Sequence, residues 1–271
     1  MEQSNNVKEQ PLYPVKYVQA LRGGTAHVIL FNDGKEYVVK WFGVKKERGK
    51  EVVNEYVVAK LAQLLSLPII PFKLVYIPED FLKKTPELQQ KKHNYISGYH
   101  FGCVYIKNSI PFEDVRYTPP SPAEVNNRDQ LAGLTVFDQW LNNSDRGTMN
   151  VILERLDDDS YYVHMIDHGR CFPGGYQWSP QTLNNEPAYN FHWPFYKWVY
   201  TMLNDTEELT SYIDKIIDFP NENIYEVMTS IPDEWNVSTE ERDALYHFLL
   251  KQKKDLPTIV NNIIKYQSNL E

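Results

Sequence analysis

Cysteine is scarce. Cys103 and Cys171 are the only two in 271 residues, and they lie far apart with no Cys-x-x-Cys spacing. That pattern reads as reduced thiols of a cytoplasmic protein rather than a disulfide framework. No apolar run approaches the ~20 residues that a membrane span requires, and the start Met-Glu-Gln-Ser-Asn-Asn has no signal-peptide core, so the expected location is the cytoplasm. Positive charge is also short. Lys and Arg number 28 against 36 Asp and Glu, a formal net charge of −8, which argues against a broad nucleic-acid or anionic-membrane surface. Lys45, Lys46, Arg48 and Lys50 form one small basic cluster, read as a solvated loop. Neither a Gly-x-Ser-x-Gly elbow nor a Walker P-loop occurs, which removes support for an α/β-hydrolase or a P-loop NTPase. Internal repeats and low-complexity tracts are absent too.

What is present suits a globular enzyme. Hydrophobic residues make up 42% and charged residues 24%, and a chain of this size buries roughly three quarters of its unfolded surface without a metal or disulfide staple. Before residue 107 short β-like runs dominate: Val15–Ala20, His27–Phe31, Tyr37–Phe42, Phe72–Ile77 and Tyr99–Ile106. Asn32-Asp33-Gly34 predicts a hairpin over 26–42. One helix is expected at about 49–66, from the spacing of Val53, Tyr56, Val57, Leu61, Leu64 and Leu65, with Pro68 and Pro71 preventing its continuation. Tyr117-Thr-Pro-Pro-Ser-Pro122 is the clearest break. A long helix is then expected over Ala123–Leu141, followed by strands Val151–Glu154 and Tyr161–Ile166 around the turn Asp157-Asp158-Asp159. From Trp193 the pattern is helical, in about four segments punctuated by Pro220 and Pro232. The expected fold class is α+β and two-lobed. Residues 1–106 form a β-rich lobe with one helix, and residues 107–271 a mostly helical lobe, with a ligand cleft between them.

The strongest chemical signal is Asn143-Ser-Asp145-Arg-Gly-Thr-Met-Asn150, followed by Ile166-Asp167-His-Gly169. An Asp at a helix end is followed five residues later by an Asn that opens an apolar strand, and a second Asp closes the next strand. Phosphoryl transfer needs this set: one carboxylate to accept a proton from the attacking hydroxyl, and an amide oxygen with a second carboxylate to hold Mg²⁺ against phosphates. Taken singly, each reads as a cap or turn residue; in this order, around a hairpin, they read as a site. Lys40, in the middle of the apolar strand Tyr37-Val-Val-Lys-Trp41, and Glu55, fifteen residues on in a helix, suit a phosphate-binding lysine held by a carboxylate. Gly23, Gly24 and Thr25 join two strands, where glycines let backbone N–H groups approach phosphate oxygens; a plain β-turn uses the same residues. His164, His168, Cys171 and His192 are a weaker zinc alternative. Phe191-His-Trp-Pro-Phe-Tyr-Lys-Trp198 reads as helix packing, with a substrate-facing wall as the alternative.

On these motifs, over about residues 15–250, the chain resembles the HipA-like kinases, protein-kinase-like phosphotransferases that include stand-alone bacterial proteins. The resemblance rests on Gly23-Gly24, Val39-Lys40, Asn54-Glu55, Asn143 to Asn150, and Ile166-Asp167. It implies ATP and Mg²⁺ as cofactors. Lys40 would bind phosphate, aided by Gly23, Gly24 and Thr25; Glu55 would form its ion pair; Asp145 would be the catalytic base; Asn150 and Asp167 would hold the metal. The implied partner is a hydroxyl-bearing substrate, a protein Ser/Thr (the enzyme's own included) or a small molecule. Arg146 after the Asp is similar to the Asp-Arg-x-x-x-Asn loop of phosphatidylinositol kinases, and His168 replaces the phenylalanine of Asp-Phe-Gly. The lack of an Ala-Pro-Glu segment weighs against a protein substrate of the eukaryotic type. A nucleotide-binding pseudokinase and AMP transfer on the same fold are the alternatives.

Overall fold

Five strands of the N-terminal region pair antiparallel in the order β1-β2-β3-β5-β4: β1 (Pro14–Ala20), β2 (Ala26–Phe31), β3 (Glu36–Lys40), β4 (Phe72–Ile77) and β5 (Gly98–Val104). The computed structural model describes residues 12–90 and 92–268. By contact the chain divides into two compact units. One runs up to Val44 and takes in Phe72–Tyr105; the other holds Lys45–Pro71 and the chain from Ile106 onward.

In the first unit the hairpin of β2 and β3 turns where the Asn-Asp-Gly signal places it. Gly34 adopts φ +78 and donates to the Phe31 carbonyl (3.0 Å), while Asp33 accepts from the Lys35 N–H (3.1 Å). Alternation then sorts the side chains of β3. Tyr37 and Val39 enter the apolar core with Ile29, Phe31, Trp41, Val75 and Ile77, and Val38 and Lys40 take the opposite face. Between β3 and β4 runs α1 (Glu51–Leu64), which belongs to the other unit. The short helix α2 (Glu79–Lys84), whose six residues are too few for a periodicity signal, places Leu82 in the sheet's core.

The second unit begins with α1, buried on all sides from Glu51 to Ala62 except at Lys60 and carrying the polar residues Asn54 and Glu55 inside. A three-stranded antiparallel sheet follows: β6 (Ser109–Pro111), β7 (Val151–Arg155) and β8 (Tyr161–Met165), in that order. The one-turn helix α3 (Phe112–Val115) leads off β6. The expected long helix over Ala123–Leu141 is shorter: α4 spans Leu131–Trp140, preceded by two separate 3-10 turns at 122–124 and 128–130. Asn127 is the reason. Its side chain donates to the Val163 carbonyl (3.0 Å) and accepts from the Val163 N–H (2.9 Å), so this segment runs beside β8 instead of coiling.

All ten residues of α4 are buried, as expected of a helix packed on every side. Gly133 is required there, because a Cβ would lie 2.3 Å from the Tyr212 ring. After the short α5 (Pro180–Leu183), four helices complete the unit: α6 (Pro194–Met202), α7 (Glu207–Ile217), α8 (Asn221–Thr229) and α9 (Thr239–Ser268). These match the four helical segments expected from the sequence. Trp140 on α4 donates to the Leu249 carbonyl of α9 (3.0 Å), tying the central helix to the last one.

Candidate active site

Asp138 sits near the end of α4, a lone carboxylate in a run that is otherwise almost entirely apolar. Its partners build the site. Asn142 ends the helix in the left-handed region (φ +51), a conformation asparagine tolerates after a helix. Asn143 then turns back, its N–H donating to the Asp138 carbonyl (2.8 Å) and its side-chain amide to Asp138 Oδ1 (2.7 Å). The Asn143 side-chain oxygen accepts from the Asp145 N–H (3.0 Å), which fixes where Asp145 leaves the loop.

Arg146 is the centre of this arrangement. It is 1% exposed. Nε and Nη2 grip Asp138 (2.8 and 3.1 Å), and Nη1 donates to the carbonyls of Asn150 (2.6 Å) and Ile166 (2.8 Å). Tyr196 donates its hydroxyl to Asp138 Oδ2 (3.0 Å). Burial alone would lower the guanidinium's pKa; Asp138 more than offsets this and raises it, so Arg146 stays charged. One buried cation thus joins the Asp145 loop, the first residue before β7, and the residue that precedes Asp167.

Asn150 donates its side-chain amide to the Asp145 carbonyl (2.5 Å), which keeps its Oδ1 as the acceptor end. Ile166 donates to the Asn150 carbonyl (3.1 Å), so Asp167 is one residue removed from Asn150 across the sheet. Asp167 itself has φ +55, a sharp bend at the end of β8. Partial burial raises the pKa of Asp145; Arg170, with Nη1 3.9 Å from Asp145 Oδ1, pulls it down, and the nearby charge of Asp167 pushes it up. The Asp145 and Asp167 carboxylates and the Asn150 amide oxygen are all hard-oxygen donors. That chemistry fits Mg²⁺ better than zinc.

The segment after Asp167 is clamped by α1. Asn54, fully buried, donates to the carbonyls of Gly169 (2.7 Å), Cys171 (3.2 Å) and Gly175 (3.1 Å), and accepts from Trp178 Nε1 (2.6 Å). Glu55 accepts from the His168 N–H (2.9 Å), and its other oxygen lies 3.4 Å from His168 Nδ1. A Cβ on Gly169 would lie 2.9 Å from both Glu51 Cγ and Tyr176 Cε1, so only glycine allows α1 so near. Burial lowers the pKa of His168 despite Glu55 and favours the neutral ring. On the other side of the loop, Thr148 donates its hydroxyl to Glu113 of α3, and Trp193 packs where a Gly147 Cβ would come within 3.0 Å.

Comparisons with known proteins give the family. A family model described as HipA-like kinase matches residues 23–262. The chain belongs to the HipA-like kinase family. Among solved structures, the proinflammatory kinase CtkA of Helicobacter pylori is similar at 12% identity, with 95% of this chain and 94% of that one covered and a TM-score of 0.57, which shows the fold. HipA of Shewanella oneidensis, solved in a complex with HipB and operator DNA, is 12% identical over 97% of this chain and 76% of its own, at a TM-score of 0.49. No curated protein matches the chain. The protein-kinase-like α+β fold expected from the sequence is therefore the fold of this HipA-like kinase.

Of the residues the sequence singles out, Asp145, Asn150, Asp167 and Glu55 all lie in the second unit, around the Arg146 hub and the α1 clamp. Lys40, Gly23, Gly24 and Thr25 lie in the first unit. Gly23 and Gly24 take φ +95 and +70, Gly24 closes the turn on the Leu21 carbonyl (3.0 Å), and Tyr95 donates its hydroxyl to the Gly24 carbonyl (3.0 Å). The zinc alternative finds no support. His164 pairs with Glu154 (2.7 Å) and His168 faces Glu55, and no metal-holding cluster of His, Cys, Asp and Glu occurs among the described residues. In the aromatic segment, Phe195, Tyr196 and Trp198 are core residues, as the packing reading expects. The structure adds Asp138, Arg170 and Tyr176. For Asp138 the sequence shows only that a carboxylate in a helix this apolar needs a buried cation, without saying which one.

Proposed function

We propose that this HipA-like kinase uses ATP and Mg²⁺ to transfer the γ-phosphoryl group to a hydroxyl, with a Ser/Thr side chain, its own included, as the acceptor class, and that it works in the cytoplasm. The membership in the family supports phosphotransfer. The observation that supports the rest is one buried guanidinium, next in sequence to Asp145, that holds Asp138 and the carbonyls of Asn150 and of Ile166, the residue before Asp167. Mg²⁺, when bound, would neutralise phosphate charge. Asn150 Oδ1 and the Asp167 carboxylate would hold it. Asp145 orients the acceptor hydroxyl and takes its proton as the oxygen attacks phosphorus. Lys40, Gly23, Gly24 and Thr25 are assigned to the phosphates, with Glu55 as the ion-pair partner of Lys40.

The role given to Glu55 rests on its geometry. It already orders the chain after Asp167 through the His168 N–H, so a lysine held by Glu55 would be coupled to the metal loop. Arg146 acts as a positioning residue, because it is buried and holds the Asp138 carboxylate and two backbone carbonyls. The test is incubation with Mg²⁺ and ATP labelled at either the α or the γ phosphorus. Label reaching protein, or phosphate released, from the γ position alone supports phosphoryl transfer. Transfer of the α label would mean AMP transfer, and nucleotide binding without any turnover would mean a pseudokinase.

A further inference from the structure

The stretch from Asn142 to Asn150 contains one cation, Arg146, and it cannot reach a substrate. It is sealed, and its donors are committed to Asp138 and two carbonyls. A transferring phosphoryl group nevertheless spreads negative charge over its equatorial oxygens, and enzymes of this class meet that charge with a cation. Arg170 is placed to do so. It lies three residues after Asp167, with its side chain 53% exposed and Nη1 3.9 Å from Asp145 Oδ1. That separation is beyond hydrogen-bond range, so the guanidinium stays beside the carboxylate without committing its N–H groups to it.

The position is built. Ser144 donates its hydroxyl to the Arg170 carbonyl (3.1 Å), tying this residue's backbone to the one before Asp145. The Tyr176 ring backs the guanidinium at 5.4 Å and is itself covered by Arg48 at 4.7 Å. Asn54 holds the surrounding backbone through the Gly169 and Cys171 carbonyls. Arg170, Ser144 and Tyr176 line a cleft of about 590 Å³ within the second unit, and Glu47 and Glu186 stand on its walls. A half-exposed arginine fixed at its backbone, backed by a ring, lining a cleft and 3.9 Å from the Asp145 carboxylate is poorly explained as a stabilising surface pair, since such pairs contribute little.

We propose that Arg170 is a catalytic residue, donating to the oxygens of the phosphoryl group in transit, and that the cleft it lines admits the acceptor hydroxyl. The inference rests on the phosphotransferase reading. In the step, Asp145 takes the hydroxyl proton, the acceptor oxygen bonds to the γ phosphorus, and the bond to the β–γ bridging oxygen breaks to leave ADP. Arg170 keeps its proton throughout. Its contacts strengthen as charge moves onto the equatorial oxygens, so it acts on kcat and little on nucleotide affinity.

The experiment compares wild type, Arg170→Met and Arg170→Lys. Turnover of γ-labelled ATP is measured, and calorimetry follows ADP–Mg²⁺ binding with and without aluminium fluoride, a planar mimic of the phosphoryl group. Wild type is expected to bind ADP–Mg²⁺ more tightly when fluoride is added. Arg170→Met should lose that tightening and about 10²-fold in kcat, with KM for ATP within about threefold. Arg170→Lys should recover part of both. Because Arg170 is half-exposed, melting temperatures should match. An active wild type with Arg170→Met equal to it in kcat and in fluoride tightening overturns the inference alone. A wild type with neither turnover nor tightening overturns the phosphotransferase reading and this inference with it.

Discussion

Arg146 follows Asp145 in sequence, yet it does its work in the opposite direction, inward to Asp138 and to the carbonyls of Asn150 and Ile166. Removing one partner of a buried pair leaves the other charge without compensation, which costs about 3–5 kcal/mol. Arg146→Met should therefore lower unfolding stability by that order in urea titrations, whereas Asp138→Leu with Arg146→Met should recover much of the stability and remain inactive. Full activity in the double variant would show that the hub does not place Asn150 and Asp167. Asp145→Asn should act differently. The amide keeps the shape but cannot take the proton, so turnover should fall by ~10²–10⁴-fold while calorimetric ATP affinity changes little. Asp145, Asn150 and Asp167 stand out in the sequence because each residue type and its place at a loop or strand end answer one chemical need. Asp138 does not, since nothing in the local pattern says which cation a buried carboxylate meets. Arg146 read as a motif letter for the same reason.

At the scale of the element, α1 is the decisive one. The apolar spacing that marks it as a helix is silent on the core it joins, and by contact it joins the helical unit. Asn54 shows how, with one amide bound to three carbonyls of the segment after Asp167 and to Trp178. Asn54→Ala would leave buried carbonyls and an indole N–H unsatisfied at about 1–3 kcal/mol each. The expected result is a loss of at least about 2 kcal/mol, together with faster amide exchange over residues 168–178. Unchanged exchange there would contradict the clamp. Most strands were legible because alternation and turn chemistry are local. The N-terminal half of the expected Ala123–Leu141 helix was not. Asn127 exchanges two hydrogen bonds with Val163, a partner 36 residues away, and that pairing outweighs local helix propensity. Ser109–Pro111 escaped notice because three residues carry no period, and their pairing with β7 is again long-range.

For the molecule as a whole, two histidines set an acid limit on stability. His27 Nδ1 accepts from Trp41 Nε1 (2.9 Å); His100 Nδ1 accepts from the Phe42 N–H (3.0 Å), with its Nε2 at the Ile96 carbonyl (2.9 Å). Both bonds need neutral rings, and burial lowers both pKa values from 6.5 to about 4. Between about pH 6.5 and 4 the unfolded chain binds protons that the folded chain refuses, so stability is full above that window and falls as pH drops through it. Melting temperature should decline across this range, and His27→Asn should flatten the decline. A melting temperature constant from pH 7 to 4 would contradict the neutral-ring account. The central claim is that Asp145, Asn150 and Asp167 work as one Mg²⁺-dependent phosphoryl-transfer site. The most direct measurement is turnover of γ-labelled ATP against Mg²⁺ concentration for wild type and Asp167→Asn, on preparations with matching melting curves. The account predicts Mg²⁺-dependent turnover in wild type and a loss of at least about 10²-fold in the variant, several kcal/mol of transition-state stabilisation. Full Mg²⁺-dependent turnover by Asp167→Asn would contradict it.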